Sequence, residues 1–465
     1  MTHKRHVSVK KDRLGLEACL REIWTASFWR KQHGKYGAFE ERRTRWRLPS
    51  LMWVGLTMSL DAKAPEGERF EAARDFVSGV WEKRKRCGGT EAGFLKALAA
   101  VPLGWFGDVR EQLQQHAEAR ELWVARVGRW AAYGLDGTKQ DVPRTRAHEE
   151  AYGLATKGPG APQRQVVAAV ALGKEVLWDW ESGSALDNER ELSLEVIRRL
   201  PLGAVAVCDA GFVGYEWCRA VEASGHHFVV RVGANVRLWA EQVGRAKWQE
   251  DQVWLWPKDA ERAGQGPLVL RLIRLERVVG YTGKGRRRRA KREVLWLVTN
   301  VLEEARLTKA EAQRLYEKRW PASEGTFRTW KRTLDKAKLN SRTPELAERE
   351  SEFSLLGLML LEILAFAARK TKRDGRRRKV SVACAQRVWR RAVRTRMAGK
   401  RTNWFQERMA EARVDGYRRR KSKVRRRWPK RKEHNSFKDP NLLKLDAARK
   451  RRGLERLQER KPCAS

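Results

Sequence analysis

The pattern of apolar and polar positions changes several times along the chain. In the N-terminal part, apolar residues recur three and four positions apart, as in Leu14–Trp29, which is typical of amphipathic helices. Further on, short continuous apolar runs that end at glycine predict buried strands. The chain divides into a helical region at 1–127, a region of strands and helices at 128–235, a strand-rich insertion at 236–303, a helical region at 304–370 and a strongly basic region at 371–465. The last region should fold weakly without a partner, because its like charges repel one another.

The second region predicts a mixed sheet. Its strands are predicted at Trp130–Leu135, Gln165–Leu172, Glu175–Trp180, Ala204–Cys208 and His227–Val232, with helices at Asn188–Arg199 and Tyr215–Ser224. This β-β-β-α-β-α-β order resembles a ribonuclease H-like sheet, with an antiparallel meander followed by parallel strands. The predicted fold class is therefore α/β: a ribonuclease H-like mixed sheet interrupted by a β-strand insertion, with a helical N-terminal region and a basic C-terminal region.

The charge predicts a polyanionic partner. The chain carries 100 Lys and Arg against 57 Asp and Glu, a net charge of +43, and more than half of this excess lies in residues 371–465. Nucleic acid is the default partner for such a charge. The most apolar run, Phe353–Ala368, is too short to span a bilayer and contains Glu362, so we expect a buried helix and no membrane association. We also expect a cytoplasmic protein that is bound to the nucleoid when it engages DNA.

The cysteines exclude two other classes. Six cysteines are scattered without a CxxC pair or a neighbouring histidine cluster. This spacing argues against a zinc site or a disulfide framework, and it indicates a reducing compartment.

Two aspartates follow predicted strands, and each has a glycine beside it that allows a sharp turn. Asp136 follows the first strand and Asp209 the fourth, and these strands are neighbours in a ribonuclease H-like sheet. A helix after the fifth strand can bring in Glu324. Three convergent carboxylates repel one another unless divalent cations bind between them, which predicts two Mg²⁺ ions, replaceable by Mn²⁺, and phosphoryl transfer.

The helix that contains Glu324 also carries phosphate-binding side chains. Arg319 and Lys331 can hold phosphates, and Tyr316 adds a ring and a hydroxyl. In an α-helix Glu324, Phe327, Arg328 and Lys331 would share one face. Taken alone, the stretch also fits an amphipathic surface helix.

Four motifs resemble those of insertion-sequence DDE transposases of the IS-four type, the group marked by a Tyr-Arg-Glu-Lys signature. They are LDGTKQDVPRT (Leu135–Thr145), VCDAGFVGYEW (Val207–Trp217), LVTNV (Leu297–Val301) and YEKRWPASEGTFRTWKRTLDKAKLNSRTPE (Tyr316–Glu345), in family order. The resemblance implies Asp136, Asp209 and Glu324 as the catalytic, metal-binding triad. It also implies that Tyr316, Arg319 and Lys331 contact DNA near the cleaved end.

The signature departs from the family at one point. Four residues, Trp320 to Ser323, separate Arg319 from Glu324, where the family has three. Counting from Arg319 selects Ser323, whereas counting back from Lys331 selects Glu324, and Phe327 and Arg328 follow Glu324 as usual. We therefore assign the acid to Glu324. Because Pro321 suits the first position of a helix, we expect the extra residue to lie in a turn.

Several other residues are candidates for DNA or metal contacts. Lys139, Arg146 and Arg328 could meet phosphates, and Trp254 and Trp256 could stack on a flipped base, a role that some family members give to a tryptophan of the insertion. Glu189, after the third strand, could support the metal site.

The sequence thus predicts a DNA transposase. A homodimer would bind the terminal inverted repeats of its own element, cut there by Mg²⁺-dependent chemistry and join the freed ends to target DNA. Two alternatives stay open: a catalytically inactive DNA-binding protein derived from a transposase, and a ribonuclease H-like nuclease that cuts without joining.

Overall fold

The chain forms two compact units, seen in a computed structural model. Unit 1 comprises Met1–Trp123, Gln140–Arg164 and Thr326–Asp415, and unit 2 comprises Val124–Lys139, Gln165–Gly325 and Gly416–Ser465. The structure describes residues 14–41, 45–61, 64–80, 87–154, 160–241, 251–282, 289–370, 379–413 and 438–459. The basic blocks at Arg418–Lys421 and Arg425–Lys432 lie outside these ranges, so their predicted weak folding stays a prediction.

Unit 2 is built on one mixed sheet of eleven strands. Its order is β11-β7-β8-β9-β10-β6-β5-β2-β3-β4, with β1 paired to β2. The strands are β1 (Arg126–Val127), β2 (Trp130–Asp141), β3 (Gln163–Ala171), β4 (Val176–Ser184), β5 (Val205–Cys208), β6 (His227–Val232), β7 (Arg237–Ala240), β8 (Asp251–Leu255), β9 (Leu268–Thr282), β10 (Arg289–Thr299) and β11 (Asn441–Lys444).

The centre of this sheet has the predicted ribonuclease H-like arrangement. Strand β5 pairs in parallel with β2 on one side and with β6 on the other. All four residues of β5 are buried, as expected for a strand that is covered on both faces. The strands that were predicted first and fourth are therefore neighbours.

The insertion extends the same sheet. Strand β10 pairs antiparallel with β6, and Trp296 is the partner of Val232. Strands β9, β8 and β7 follow outward, and β11 pairs in parallel with β7. The sequence of Leu442–Leu457 predicts a helix, but Asn441–Lys444 form β11, because their backbone groups complete the edge of the sheet, and the helix begins at Ala447.

Five helices belong to unit 2, wholly or for most of their length. They are α8 (Glu189–Arg198), α9 (Tyr215–Ala223), α10 (Lys258–Arg262), α11 (Lys309–Arg328) and α15 (Ala447–Glu459). One buried cluster joins α11 to the sheet strands through Leu315, Tyr316 and Ala322. Packing of this apolar side therefore fixes the helix that carries Glu324.

Unit 1 is helical. It contains α1 (Leu16–Ile23), α2 (Ala26–Glu41), α3 (Leu48–Leu60), α4 (Glu66–Val80), α5 (Glu91–Ala99), α6 (Leu103–Ala119), α7 (Arg146–Tyr152), a π-helical turn (Thr329–Thr333), α12 (Pro344–Lys370), α13 (Val382–Met397) and α14 (Phe405–Ala410).

Helix α12 forms the centre of unit 1. It packs against α3, α5, α6, α13 and α14. Pro344–Arg369 is long and apolar enough to cross a bilayer, but 89% of its most apolar window is buried inside the protein. Such burial on all sides is typical of the central helix of a helical core. Phe353–Ala368 is thus part of a buried helix, as expected.

A buried ion pair fixes the connection between the π-helical turn and α12. Glu350 accepts hydrogen bonds from the Lys336 Nζ at 2.7 Å and from the backbone amides of Asn340 and Ser341, each at 3.0 Å. Burial alone would raise the pKa of Glu350, but Lys336 and these hydrogen bonds hold it below its ordinary value. The depressed pKa means that the carboxylate stabilises the folded state when it is ionised.

We expect Glu350→Gln to lower the free energy of unfolding by about 3–5 kcal/mol, because it leaves the buried Lys336 charge without its partner. This decrease in the free energy of unfolding should have its full size near pH 7. It should shrink as the pH falls through the ordinary glutamate pKa of about 4.3 and below, because the wild-type carboxylate is then protonated as well. Urea unfolding of both proteins across this pH range measures the effect.

The exposed Glu345 in the first turn of α12 supplies the control. Glu345→Gln should change the unfolding free energy by less than about 0.5 kcal/mol. Equal losses in the two variants would contradict the role given to the ion pair.

Candidate active site

The two predicted aspartates lie at the same end of two neighbouring parallel strands, β2 and β5. Gly134 of β2 is the partner of Val207 of β5, and continuing this register by two residues brings Asp136 beside Asp209. Asp209 directly follows β5, as predicted. The first strand was expected to end at Leu135, but β2 continues to Asp141, so Asp136 lies within the strand.

Backbone amides orient both carboxylates. Asp136 Oδ1 accepts a hydrogen bond from the Gly137 amide at 3.1 Å, and Asp209 Oδ1 accepts one from the Gly211 amide at 2.8 Å. The glycines expected beside the acids are thus the donors that fix them. In each carboxylate, one oxygen thus accepts a hydrogen bond from a backbone amide one or two residues further along the chain.

Arg319 supplies positive charge beside the aspartates. Its buried side chain donates from Nη1 to Asp136 Oδ2 at 3.2 Å. Burial raises the pKa of Asp136, the Arg319 charge lowers it, and the Asp209 charge raises it again. The raised pKa shows that the guanidinium offsets only part of the burial and the repulsion.

Glu189 is a third acid at this site, and the structure places it closer than the sequence suggested. It is the first residue of α8. A Cβ atom added to Gly137 would lie 1.9 Å from the Glu189 Oε1, so this carboxylate contacts the strand beside Asp136. Burial raises the pKa of Glu189, and the charges of Asp136 and Asp209 raise it further. Three acidic side chains therefore influence one another here.

Helix α11 runs without interruption through the extra residue of the signature. Pro321 lies inside the helix, so the expectation of a turn at Trp320–Ser323 is wrong. Proline lacks an amide hydrogen, and the rest of the helix tolerates the loss of one backbone bond. Because the helix is continuous, the additional residue rotates Glu324 by about 100° relative to Arg319, compared with the usual spacing.

As a result of this rotation, Ser323 and Glu324 differ in their burial. Ser323 is fully buried, and a Cβ atom on Gly134 would lie 3.3 Å from both its Oγ and the Arg319 Cγ. Glu324 is the next residue and is half-buried. In the part of the chain that the structure describes, no group of three His, Cys, Asp or Glu side chains is arranged to hold one metal ion.

The predicted DNA-contacting residues differ in exposure. Tyr316 is buried in the core cluster, with its ring 5.7 Å from the Arg319 guanidinium. Lys139 and Arg328 are exposed. Lys331 lies in the π-helical turn, so the α-helical spacing assumed from Glu324 does not extend to it. Their roles at DNA stay predictions.

Arg146 is also exposed, in α7, and its Nε donates to Glu150 at 2.7 Å. This surface ion pair between neighbouring turns leaves the guanidinium accessible, so contact with a phosphate stays a prediction.

The two tryptophans predicted to stack on bases are covered by α15. Trp256 donates to the Gln265 carbonyl at 2.8 Å, and the Arg449 guanidinium lies 5.2 Å from its ring. A Cβ atom on Gly453 would lie 2.2 Å from the Trp254 ring. Stacking on a base stays a prediction, and it requires α15 to move away.

The residues present suit a divalent metal. Asp136, Asp209 and Glu189 offer oxygen ligands of the kind that Mg²⁺ and Mn²⁺ prefer. The Gly211 amide bonds to Oδ1 of Asp209, so Oδ2 of this carboxylate is available to a cation. Their mutual repulsion is offset in part by Arg319, so a bound cation would relieve the remaining repulsion.

One comparison with known proteins identifies a protein family. A family model described as "Transposase DDE domain" matches residues 134–360, just under half of the chain, and this span contains Asp136, Asp209 and Glu324. A search of curated proteins gives no match. Among solved structures, a cryo-EM structure of a piggyBac transposase synaptic complex with hairpin DNA is similar to 86% of this chain and 85% of that chain, with 10% identity and a TM-score of 0.42.

We expect Gly137→Ala to displace the Glu189 carboxylate while the fold persists, because the new methyl group would occupy the position of a flexible side-chain end. Affinity for Mn²⁺, measured by calorimetric titration, should fall by about tenfold, as for other changes around metal ligands. Gly107→Ala in α6 is the control, since its Cβ would meet no atom within 4 Å, and its affinity for Mn²⁺ should be unchanged. An equal loss in the two variants would contradict this interpretation.

Proposed function

We propose that the protein is a DNA transposase that cuts the ends of an insertion sequence of the IS-four type and joins them to target DNA. The transposase DDE-domain model that matches residues 134–360 supports this proposal. The observation that carries this proposal is that Asp136 and Asp209 lie at the same end of the paired parallel strands β2 and β5. Two carboxylates in this arrangement can share cations that act on one phosphodiester.

DDE transposases use divalent metal ions, and we propose Mg²⁺ as the physiological ion. Asp136 and Asp209 would hold it, together with either Glu324 or Glu189. When bound, the metal supplies an activated oxygen nucleophile and stabilises the leaving oxygen. The strand register and the amides of Gly137 and Gly211 hold the two aspartates in place before any substrate arrives.

The other residues of the site would bind and orient DNA. Arg319 is already directed at Asp136, and its remaining donors can meet a phosphate once a metal takes over the neutralisation of that acid. Lys139 and Arg328 are exposed, and each could bind a DNA phosphate. The remaining proposed DNA contacts are Arg146, Lys331 and Tyr316.

We further propose that a homodimer binds the terminal inverted repeats. DNA is the partner that the family implies, and the net charge of +43 supplies sequence-independent affinity for its phosphates. An inactive DNA-binding derivative and a nuclease without strand transfer are the competing functions, and each makes a different product.

We expect Asp136→Asn and Asp209→Asn each to lower cleavage of a labelled element end by more than about 100-fold, because even groups that only support a metal ligand contribute about 10–100-fold. DNA binding should persist, since neither change removes a positive charge. Gel separation of the cleavage and strand-transfer products, with the binding affinity measured in parallel, checks both statements.

Glu317→Gln provides the control on α11, because Glu317 is exposed and accepts only from the Gln313 side chain at 2.8 Å among the hydrogen bonds described. It should cleave as the wild type does. Specific binding without cleavage by the wild type would favour the inactive derivative, and cleavage without joined products would favour the nuclease.

The third carboxylate can be identified by comparing Glu324→Gln with Glu189→Gln. The resemblance selects Glu324, and in that case Glu324→Gln should abolish cleavage, whereas Glu189→Gln should cost only about 10–100-fold, as a supporting group does. Binding of Mn²⁺ by each variant, measured by calorimetry, gives a readout that is independent of activity. The reverse ranking in both measurements would assign the third position to Glu189.

A further inference from the structure

A cavity in unit 1 is lined almost entirely by cationic side chains. Its volume is about 510 Å³, and it lies along α13. The lining residues are Arg387, Arg390, Arg391, Arg394, Thr395, Ala398 and Lys400. No carboxylate is among them. Arg390 pairs with Asp61 outside the lining, and the positive charges of the other four side chains repel one another unless an anion binds there.

Three of these arginines lie along one face of the helix. Arg387, Arg391 and Arg394 have the spacing i, i+4 and i+7, and all three are exposed. At 1.5 Å per residue, they cover about 10 Å along the helix axis. One strand of duplex DNA advances about 3.4 Å per phosphate along the axis of the duplex, so this length corresponds to about three phosphate-to-phosphate steps.

Two of the lining arginines are held in place by neighbours within unit 1. Arg390 donates from Nη1 to Asp61 at 3.2 Å, and the Arg391 guanidinium lies 5.0 Å from the Trp404 ring. Arg394 and Lys400 form no ion pair with a carboxylate of the described residues. The cavity thus combines anchored cations with cations that are available to a ligand.

We propose that this α13 cavity binds the phosphate backbone of duplex DNA, as a site separate from the carboxylates. This second site rests on the proposed function in one respect, that DNA is the partner. The lining contributes arginine and lysine donors, which suit phosphates. Apart from these, it offers only Thr395 and Ala398, which cannot form a pocket for a base. The contact is therefore independent of sequence and positions the duplex.

The test measures binding of the full chain to a labelled DNA duplex without element ends, in EDTA, over a series of salt concentrations. Arg394→Ala with Lys400→Ala should reduce the slope of log affinity against log salt by nearly two, since each phosphate contact contributes about 0.9. The affinity lost between 50 and 200 mM salt should then be about tenfold smaller than in the wild type.

Two control variants separate a site from net charge. Arg394→Lys with Lys400→Arg keeps both charges and should keep the slope. Arg21→Ala with Lys96→Ala removes two exposed charges from α1 and α5 of the same unit, and its slope should change much less. An equal change in this pair, or an unchanged slope in Arg394→Ala with Lys400→Ala, overturns the proposal.

Two further outcomes concern the kind of ligand. Equal weakening of poly-glutamate binding would indicate a general polyanion site, and weakening confined to RNA would indicate another nucleic acid, so either result overturns the assignment to duplex DNA. Since EDTA prevents cleavage, the result does not depend on catalysis. If the protein fails to cut and join element ends, the result of the duplex-binding assay still stands. If the salt slope does not change, the result of the cleavage assay still stands.

Discussion

The repulsion between Asp136 and Asp209 is the constraint on which the catalytic unit depends. The parallel register of β2 and β5 brings the two carboxylates to the same end of the sheet, and burial raises the pKa of Asp136, so the charge of that carboxylate is costly. Arg319 offsets part of this cost, which couples α11 to the sheet through a charge as well as through the apolar contacts of Leu315 and Ala322. A site strained in this way by its own charges is prepared to receive cations.

The same constraint gives the neighbouring residues their roles. Gly137 and Gly211 donate amide hydrogen bonds to the acids, and the lack of a side chain at Gly137 leaves room for the Glu189 carboxylate. Arg190, the next residue, donates from Nε to the Gly211 carbonyl at 2.9 Å and so ties the start of α8 to the loop after β5. Helix α8 therefore helps to shape the site, although it contributes none of the three residues that the family resemblance selects.

The positive charge of the protein is distributed between the two units in different forms. In unit 1, the α13 cavity collects cations without a carboxylate in its lining. In unit 2, Arg449 lies over the Trp239 ring at 3.6 Å and bonds to Glu261, so this arginine of the basic C-terminal region stabilises the sheet edge. A basic composition thus includes structural cations as well as cations available to DNA, and only their surroundings distinguish the two.

The sequence by itself determined many of the elements and the candidate chemistry of this protein. Continuous apolar runs located β5 and β6, helical periodicity located α8 and α9, and the acids beside glycines identified Asp136 and Asp209, because these signals depend on residues close together in the chain. Only the tertiary structure decided that Glu189 contacts the strand of Asp136, that α11 continues through Pro321, and that α15 covers Trp254. The contacts of Glu189 and α15 depend on the packing of segments that are distant in sequence. The continuity of α11 depends on the rest of the helix, which tolerates the backbone hydrogen bond lost at Pro321. A local pattern of residues does not predict either of these features.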